Sequence, residues 1–241
     1  MLDGDAPARV GLLGSGSAGD LYLWQGRRGC SLSYAACADV ELARAAALAE
    51  EYGLPRACTP DELLADPDID VVVNLTPASL HGPAGLQVLR AGKHLYSEKP
   101  LAADVRQATR LLDLAARRGL RVACAPDTFL GPALQTARRL VDAGAIGTVF
   151  GAAAVVATTP PETWHPRPGN FYAEAAGPLF DMGPYYITAL VSLLGPVVRV
   201  AGLGAVGLRE RRSHATGELI EPTVPTHELA SSSSRQGRSR R

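Results

Sequence analysis

Short apolar runs alternate with amphipathic segments over the first half of the chain. The apolar runs predict buried strands, because they are short and are bounded by Gly, Pro or Asp. They cover residues 9–13, 32–38, 69–75, 94–96 and 120–124. The segments between them carry apolar residues at helical spacing and cover residues 17–24, 40–52, 80–91 and 105–118. The last three of these helices end at Gly53, Gly92 and Gly119, a residue type favoured just after a helix.

Strands that alternate with helices of this length indicate βαβ units and a parallel sheet covered on both faces. Right-handed crossovers then give a doubly wound α/β sheet. We place the end of this domain near Ala125, so that it covers residues 1–125.

The pattern changes after residue 125. A helix is predicted over residues 134–143 and another over 181–194, with long strand candidates at 148–157 and 197–206. A loop rich in Pro, Trp and His lies between them at residues 160–170. These elements predict an α+β domain over residues 126–230 whose sheet is incomplete.

The end of the chain, residues 231–241, is rich in Ser, Arg and Gly and has no apolar residue to bury. We expect it to be disordered. It is either a nucleic-acid or targeting tail or an artificial, frameshifted end. The chain has 24 basic and 24 acidic side chains, and the four arginines after Ser234 leave the remainder acidic. This charge balance argues against a nucleic-acid partner for the body of the protein.

The composition, with 46% hydrophobic and 20% charged residues, is ordinary for a soluble globular protein. No apolar run is long enough to cross a bilayer, and the first residues lack the features of a secretory signal. We therefore expect a cytoplasmic protein with no membrane partner. The cysteines at 30, 37, 58 and 124 have neither metal-ligand spacing nor a nearby histidine, so we expect reduced thiols and no metal site.

A glycine-rich turn follows the first strand and has the spacing G-x-G-x-x-G. Its residues are Gly14, Ser15, Gly16, Ser17, Ala18 and Gly19. In such a turn the first glycine allows the sharp bend, the second lets a pyrophosphate approach and the third allows close packing. Asp39 ends the second strand, where a carboxylate accepts hydrogen bonds from ribose hydroxyls and repels a 2′-phosphate. The turn predicts a nicotinamide dinucleotide site with NAD favoured over NADP. A glycine turn without a ligand, and a helix N-cap role for Asp39, remain as alternatives.

Three further segments, residues 74–81, 98–100 and 181–185, complete a pattern. They read Asn-Leu-Thr-Pro-Ala-Ser-Leu-His, Glu-Lys-Pro and Asp-Met-Gly-Pro-Tyr. In this order after the glycine turn they resemble the Gfo/Idh/MocA family of oxidoreductases. The resemblance implies a Rossmann domain followed by an open, largely antiparallel sheet. It also implies hydride transfer between NAD(P) and a secondary alcohol of a sugar, cyclitol or diol, in a homo-oligomer.

The resemblance also assigns site residues. Lys99 would lie beside the nicotinamide and the substrate hydroxyl, and the Lys99–Pro100 bond is a candidate for the cis form. The predicted cofactor-lining residues beyond the glycine turn and Asp39 are Asn74, Thr76, Pro77, His81, Glu98 and Lys99. For His81 the alternative is a histidine whose ring is satisfied within the protein, and for Lys99 it is a surface lysine.

Tyr185 stands where many family members carry a histidine. The pattern is similar to the branch with glucose–fructose oxidoreductase and dihydrodiol dehydrogenase, in which a tyrosine is the acid/base. Lys99 and Tyr185 would be the catalytic pair, and Asp181, four residues before Tyr185 on one helix face, would orient the substrate. Packing roles for Tyr185 and Tyr186 are the alternative. Trp164 and His165 are weaker candidates for substrate contacts.

Family members run further than this chain. Residues 224–229 predict the start of a strand, but no apolar residue follows Ala230. We therefore expect a frame lost or truncated near Ala230, with an exposed sheet edge and uncertain assembly. Two other functions stay open: a nucleotide-binding remnant or sensor without turnover, and an interaction protein acting through its arginine tail.

Overall fold

A computed structural model of the chain describes residues 7–26 and 32–234. The chain divides into two units, residues 1–125 and 126–241. Of the sequence-based predictions, those for Cys30 and for residues 235–241 lie outside the described part.

The first unit is built on a six-stranded sheet in which all adjacent strands are parallel. Its strands are β1 Ala8–Leu13, β2 Leu32–Ala38, β3 Ala57–Cys58, β4 Val71–Asn74, β5 His94–Ser97 and β6 Val122–Cys124. Their order across the sheet is β3-β2-β1-β4-β5-β6. This is the doubly wound Rossmann order, so the predicted fold class is confirmed.

In the described part of the first unit, residues 7–26 and 32–125, five α-helices cover the sheet: α1 Ser17–Gly26, α2 Leu42–Tyr52, α3 Pro60–Ala65, α4 His81–Arg90 and α5 Val105–Arg118. Gly53 and Gly119 end α2 and α5 in the left-handed conformation. The sequence pattern did not predict β3 or α3. The short helix α3 is held by a reciprocal cap, in which Thr59 and Glu62 each accept the other's main-chain N–H.

Two hydrophobic clusters pack on the sheet. One combines α1 and α2 with alternate residues of the central strands, including Leu23, Leu48 and Leu12. The other combines the remaining helices with the intervening strand residues, including Leu63 and Leu111. Successive side chains of a strand point to opposite faces, so β1 and β4 supply both clusters. None of the helices in the described part is long and apolar enough to cross a membrane.

Over residues 126–234, the second unit combines three α-helices with two small antiparallel sheets. The helices are α6 Pro132–Asp142, α7 Gly177–Asp181 and α8 Gly183–Leu194, and the strands are β7 Val197–Ala205, β8 Arg211–Arg212, β9 Leu219–Ile220 and β10 His227–Ser234. Strand β7 pairs with β10, and β8 pairs with β9. An α+β unit with a small antiparallel sheet therefore follows the Rossmann unit, as expected.

The predicted strand at residues 148–157 is wrong. The chain has no regular secondary structure from residue 149 to 160, and its apolar side chains are exposed, with Val155 at 84%. A strand requires a hydrogen-bonded neighbour, and no strand within residues 32–234 pairs with this segment.

The predicted helix at residues 181–194 is divided at Met182. Asp181 ends α7, and α8 begins at Gly183 with a proline, Pro184, in its first turn. Proline has no N–H to continue the hydrogen bonds of α7. Asp181 and Tyr185 therefore belong to different helices, and the prediction that they share one helix face is corrected.

The strand predicted to start within residues 224–229 extends further than expected. Strand β10 continues through Ser231, Ser232, Ser233 and Ser234. Main-chain pairing with β7 holds these serines, with Ser231 opposite Ala201 and Ser232 opposite Val200. The expectation of disorder from residue 231 onward is therefore wrong for Ser231–Ser234, because a ladder depends on main-chain groups that every residue except proline supplies in full.

Candidate functional site

The predicted cofactor residues lie at the carboxyl ends of four neighbouring strands. The glycine turn follows β1, Asp39 follows β2, Asn74 ends β4 and Glu98 follows β5. The chain crosses from one half of the sheet to the other between β1 and β4. In doubly wound folds ligands bind at this point, outside the carboxyl ends of the strands.

Gly14 makes the sharp bend after β1. Its φ is +107°, and a Cβ atom there would lie 2.7 Å from the carbonyl oxygen of Leu75. Its N–H donates to the carbonyl oxygen of Ala38, 2.8 Å away, which joins the turn to the end of β2. No other residue type satisfies this conformation and this close approach together.

Gly16 faces open space at the start of α1. A Cβ atom at this position would meet no atom within 4 Å. The carbonyl oxygen of Gly16 accepts the N–H of Gly19 at 2.8 Å, and Gly19 packs on α2, where an added Cβ atom would be 3.0 Å from Leu48. The open turn at a helix start fits a phosphate group, because the first N–H groups of a helix have no carbonyl partner one turn earlier and point towards the ligand. Ser15, Ser17 and Ala18 supply the main chain of this surface.

Asp39 is buried and hydrogen-bonded to the glycine turn. One carboxylate oxygen accepts the N–H of Ser15 at 2.9 Å, and the other accepts the N–H of Glu41 at 2.9 Å. The N-cap of α2 is Glu41, so Asp39 is not the cap residue itself. A carboxylate oxygen can accept more than one hydrogen bond, so both oxygens keep the capacity to bind ribose hydroxyls.

Asn74 is fully buried and holds the turn after β4. Its amide nitrogen donates to the carbonyl oxygen of His81 at 3.1 Å, and its oxygen accepts the hydroxyl of Thr76 at 2.7 Å. The protein uses both ends of this side chain. Asn74 therefore shapes the Thr76–Pro77 turn, in which Thr76 is half-buried and Pro77 is exposed.

His81 is also buried, with both ring nitrogens directed at carbonyl oxygens. Nδ1 lies 2.6 Å from the oxygen of Pro100, and Nε2 lies 2.7 Å from the oxygen of Thr76. Which nitrogen donates depends on the tautomer. The ring therefore joins two turns of the protein, and its place beside the cofactor stays a prediction.

The Glu98-Lys99-Pro100 turn follows β5 and contains a cis bond between Lys99 and Pro100. The N–H of Glu98 donates to the carbonyl oxygen of Asn74 at 2.9 Å. One Glu98 oxygen accepts the N–H of Lys99 at 2.9 Å, and the other accepts the hydroxyl of Tyr22 at 2.9 Å. Sequence reasoning missed Tyr22, and no motif around it marks this contact.

The second-unit candidates, Asp181 and Tyr185, lie on either side of the break between α7 and α8. Both are partly exposed. The loop before them contains a cluster of aromatic rings. The ring centroid of Phe171 lies 4.8 Å from that of His165 and 5.8 Å from that of Trp164. Edge-to-face ring contacts thus hold together the loop that contains the two weaker substrate-contact candidates, Trp164 and His165.

Buried polar groups hold the same loop to the strand pair β8–β9. Glu162 accepts a hydrogen bond from Tyr172 and pairs with Arg211 at 2.6 Å, with both charged side chains nearly buried. Burial raises the pKa of the Glu162 carboxyl, but hydrogen bonds from Tyr172 and Arg211 outweigh it and leave that pKa below its usual value. Sequence reasoning missed this cluster too.

The thiols of Cys37, Cys58 and Cys124 are free. Burial raises the pKa of each, which disfavours the reactive thiolate. Among the residues that the structure describes, no group of three or more His, Cys, Asp or Glu side chains is arranged to hold a metal ion.

Both units of the chain match models of known protein families. The model of the oxidoreductase family with an NAD-binding Rossmann fold matches residues 8–125, and that of the GFO/IDH/MocA C-terminal domain matches residues 134–224. The chain belongs to the Gfo/Idh/MocA family of oxidoreductases. Both units are therefore accounted for, and the resemblance seen in the sequence motifs is confirmed.

Relatives within the Gfo/Idh/MocA family act on different compounds. A dTDP-3,4-didehydro-2,6-dideoxy-alpha-D-glucose 3-reductase of Streptomyces violaceoruber is 40% identical over 66% of this chain and 46% of its own length. A trans-1,2-dihydrobenzene-1,2-diol dehydrogenase of Bos taurus is 30% identical over 76% of this chain and 52% of its own length. Inositol 2-dehydrogenases are also among the relatives. The chain spans about half the length of the curated relatives it matches.

Solved structures of the family share the fold. An NAD-binding oxidoreductase of Klebsiella pneumoniae superimposes with a TM-score of 0.76 at 26% identity, over 93% of this chain and 63% of that one. The first unit thus has the NAD-binding Rossmann fold of this oxidoreductase family.

Proposed function

We propose that the protein transfers hydride between NAD and a secondary alcohol of a sugar, cyclitol or diol. The observation that carries this proposal is the turn at Gly16, which leaves open space at the start of α1 beside the anchored carboxylate of Asp39. The pyrophosphate would bind the main chain of residues 14–19, and Asp39 would accept the adenosine ribose hydroxyls. Relatives that act on a dTDP-sugar, a diol and inositol support the substrate class.

The preference for NAD over NADP follows from charge. Asp39 would lie where a 2′-phosphate has to fit, and like charges repel. The first arginine after Asp39 is Arg44, whose guanidinium pairs with Glu41 at 2.6 Å. In this segment, therefore, no unpaired positive side chain remains that could attract a 2′-phosphate against the repulsion from Asp39.

The reaction needs a group that takes the hydroxyl proton and a charge that stabilises the resulting oxygen. Bound NAD would supply the hydride acceptor at the nicotinamide ring. In our proposal Tyr185, as the phenolate favoured by the neighbouring ammonium group of Lys99, would take the proton from the substrate hydroxyl, and the same ammonium group would stabilise negative charge on the substrate oxygen. Asp181 orients the substrate through a second hydroxyl. Support for these roles comes from the family pattern of Lys99, Asp181 and Tyr185.

A cofactor titration tests the proposal. NADH and NADPH are added separately to the protein, and energy transfer from tryptophan, including Trp24 on α1, reports binding. We expect saturable NADH binding that is at least about tenfold tighter than NADPH binding, equivalent to about 1.4 kcal/mol. In the variant Asp39→Asn, which keeps the side-chain size, the preference for NADH should shrink. Absence of binding to both nucleotides by folded protein would refute the proposal.

Turnover is tested with myo-inositol, glucose and a trans-dihydrodiol as hydride donors, following NADH absorbance. Lys99→Ala should lower kcat by about 10²–10⁴-fold, the usual contribution of acid–base and charge assistance. Normal turnover by Lys99→Ala would refute the role of Lys99. NADH binding without reduction by any donor would favour the alternative, a nucleotide-binding protein without turnover.

A further inference from the structure

One carboxylate joins the helix of the glycine turn to the turn that carries Lys99. The hydroxyl of Tyr22, on α1, donates to one oxygen of Glu98 at 2.9 Å. The other oxygen of Glu98 accepts the main-chain N–H of Lys99 at 2.9 Å. Tyr22 and Glu98 are 76 residues apart in the sequence, so this link exists only in the folded unit.

The ring of Tyr22 also has a packing partner. It packs edge-on against Tyr96 of β5, with ring centroids 6.1 Å apart and an interplanar angle of 68°. Burial, together with the nearby charge of Glu98, raises the pKa of the Tyr22 hydroxyl. Tyr22 therefore keeps its proton and remains a hydrogen-bond donor throughout the neutral range.

The position of this link matters because a dinucleotide has two ends. The glycine turn and Asp39 lie at one part of the sheet edge, after β1 and β2, and Lys99 lies at another, after β5. A dinucleotide gains binding energy from both parts at once only if the distance between them matches the distance between its adenosine and nicotinamide ends. The hydrogen bond from Tyr22 on α1 to Glu98 links the glycine-turn helix to the Lys99 turn and so holds the two parts at a fixed distance.

We propose that Tyr22 is a positioning residue that sets the Lys99 turn relative to the glycine turn, so that both ends of a nicotinamide dinucleotide bind together. This inference rests on the proposed function. It predicts that the Tyr22 hydroxyl contributes to binding of the whole dinucleotide and contributes nothing to binding of its adenosine half.

The test compares two ligands by isothermal titration calorimetry. ADP reaches only the glycine turn and Asp39, whereas NADH also carries the second ribose and the nicotinamide. The variant Tyr22→Phe removes the hydroxyl and keeps the ring against Tyr96. The control Tyr52→Phe makes the same change at the end of α2, in the side-chain cluster that also contacts Tyr22.

We expect Tyr22→Phe to raise the Kd of NADH about tenfold, the effect of losing a hydrogen bond to a charged group, and to leave the Kd of ADP unchanged. Tyr52→Phe should change neither value. Parallel weakening of both ligands by Tyr22→Phe would overturn the inference, because it would show that the hydroxyl only stabilises α1. Unchanged binding of both ligands would overturn it as well.

A different result would refute the proposed function itself. If the unmodified protein binds neither ADP nor NADH, the dinucleotide site itself is refuted, and the positioning role with it. A wild-type protein that binds both, with no selective effect of Tyr22→Phe, refutes the positioning role alone.

Discussion

Gly14 and Gly16 are two residues apart in one turn, and the fold requires glycine only at the first. At Gly14 the left-handed φ and the nearby Leu75 main chain exclude a side chain. At Gly16 the protein itself would tolerate one, since nothing lies within 4 Å of the Cβ position. The first glycine serves the fold, and we infer that the second serves the ligand.

Alanine substitutions separate the two requirements. Gly14→Ala should lower the free energy of unfolding by about 1–3 kcal/mol from backbone strain alone, before the close approach to Leu75 is counted. Gly16→Ala should change the free energy of unfolding by less than about 0.5 kcal/mol and raise the Kd of NADH roughly tenfold or more. Urea unfolding and NADH titration of both variants provide the measurements. Equal losses of stability would contradict this division of roles.

Elements of the second unit are joined by buried charge rather than by a large apolar core. The segment from Glu162 to Tyr172 meets the β8–β9 pair through the ion pair of Glu162 with Arg211, and the guanidinium also lies 5.0 Å from the ring of Tyr172. A buried pair of this kind adds little net stability compared with apolar residues, but loss of one partner leaves the other charge buried and unpaired.

We therefore expect Arg211→Met to lower the free energy of unfolding by about 3–5 kcal/mol, since the Glu162 carboxylate loses its charge partner. Adding Glu162→Gln should restore much of the loss, because the neutral amide needs no cation. Arg212→Met is the matched control, as the neighbouring side chain is exposed. Urea unfolding followed by circular dichroism measures all four proteins, and similar losses for the two arginine variants would count against the ion pair.

At the scale of the whole molecule, the sheet of β7 and β10 leaves apolar side chains in water. Leu203 and Leu229 are paired across the two strands, so they lie on one face of the sheet, with exposures of 79% and 72%. Burial of apolar surface is the main driving force of association, so a contiguous exposed patch promotes self-association.

Sedimentation velocity over a range of protein concentrations should therefore show self-association. The double variant Leu203→Lys and Leu229→Lys should reduce both the association and the binding of an apolar fluorescent dye, because two charges would then lie in the patch. NADH binding, which we assign to the first unit, should stay unchanged. A monodisperse wild-type protein that melts cooperatively would contradict this prediction.

Sequence patterns predicted the first unit better than the second. Each strand of the Rossmann sheet except β3 was expected, and β3 is only Ala57–Cys58, too short to have a period. In the second unit the apolar segment at 148–157 was mistaken for a strand, because composition does not reveal whether a neighbouring strand exists. The break at Met182 did have a signal, since Pro184 was visible in the sequence.

The sequence by itself determined the doubly wound unit, the glycine turn, Asp39 at the end of β2 and the Lys99 turn after β5. These features depend on residues that are close along the chain, where periodicity and glycine spacing report the local conformation directly. Only the tertiary structure decided that His81 joins two turns, that Tyr22 meets Glu98 and that Arg211 meets Glu162, 49 residues away. Side chains so distant in sequence meet only when the packed elements bring them together, and no local pattern encodes which of them will do so.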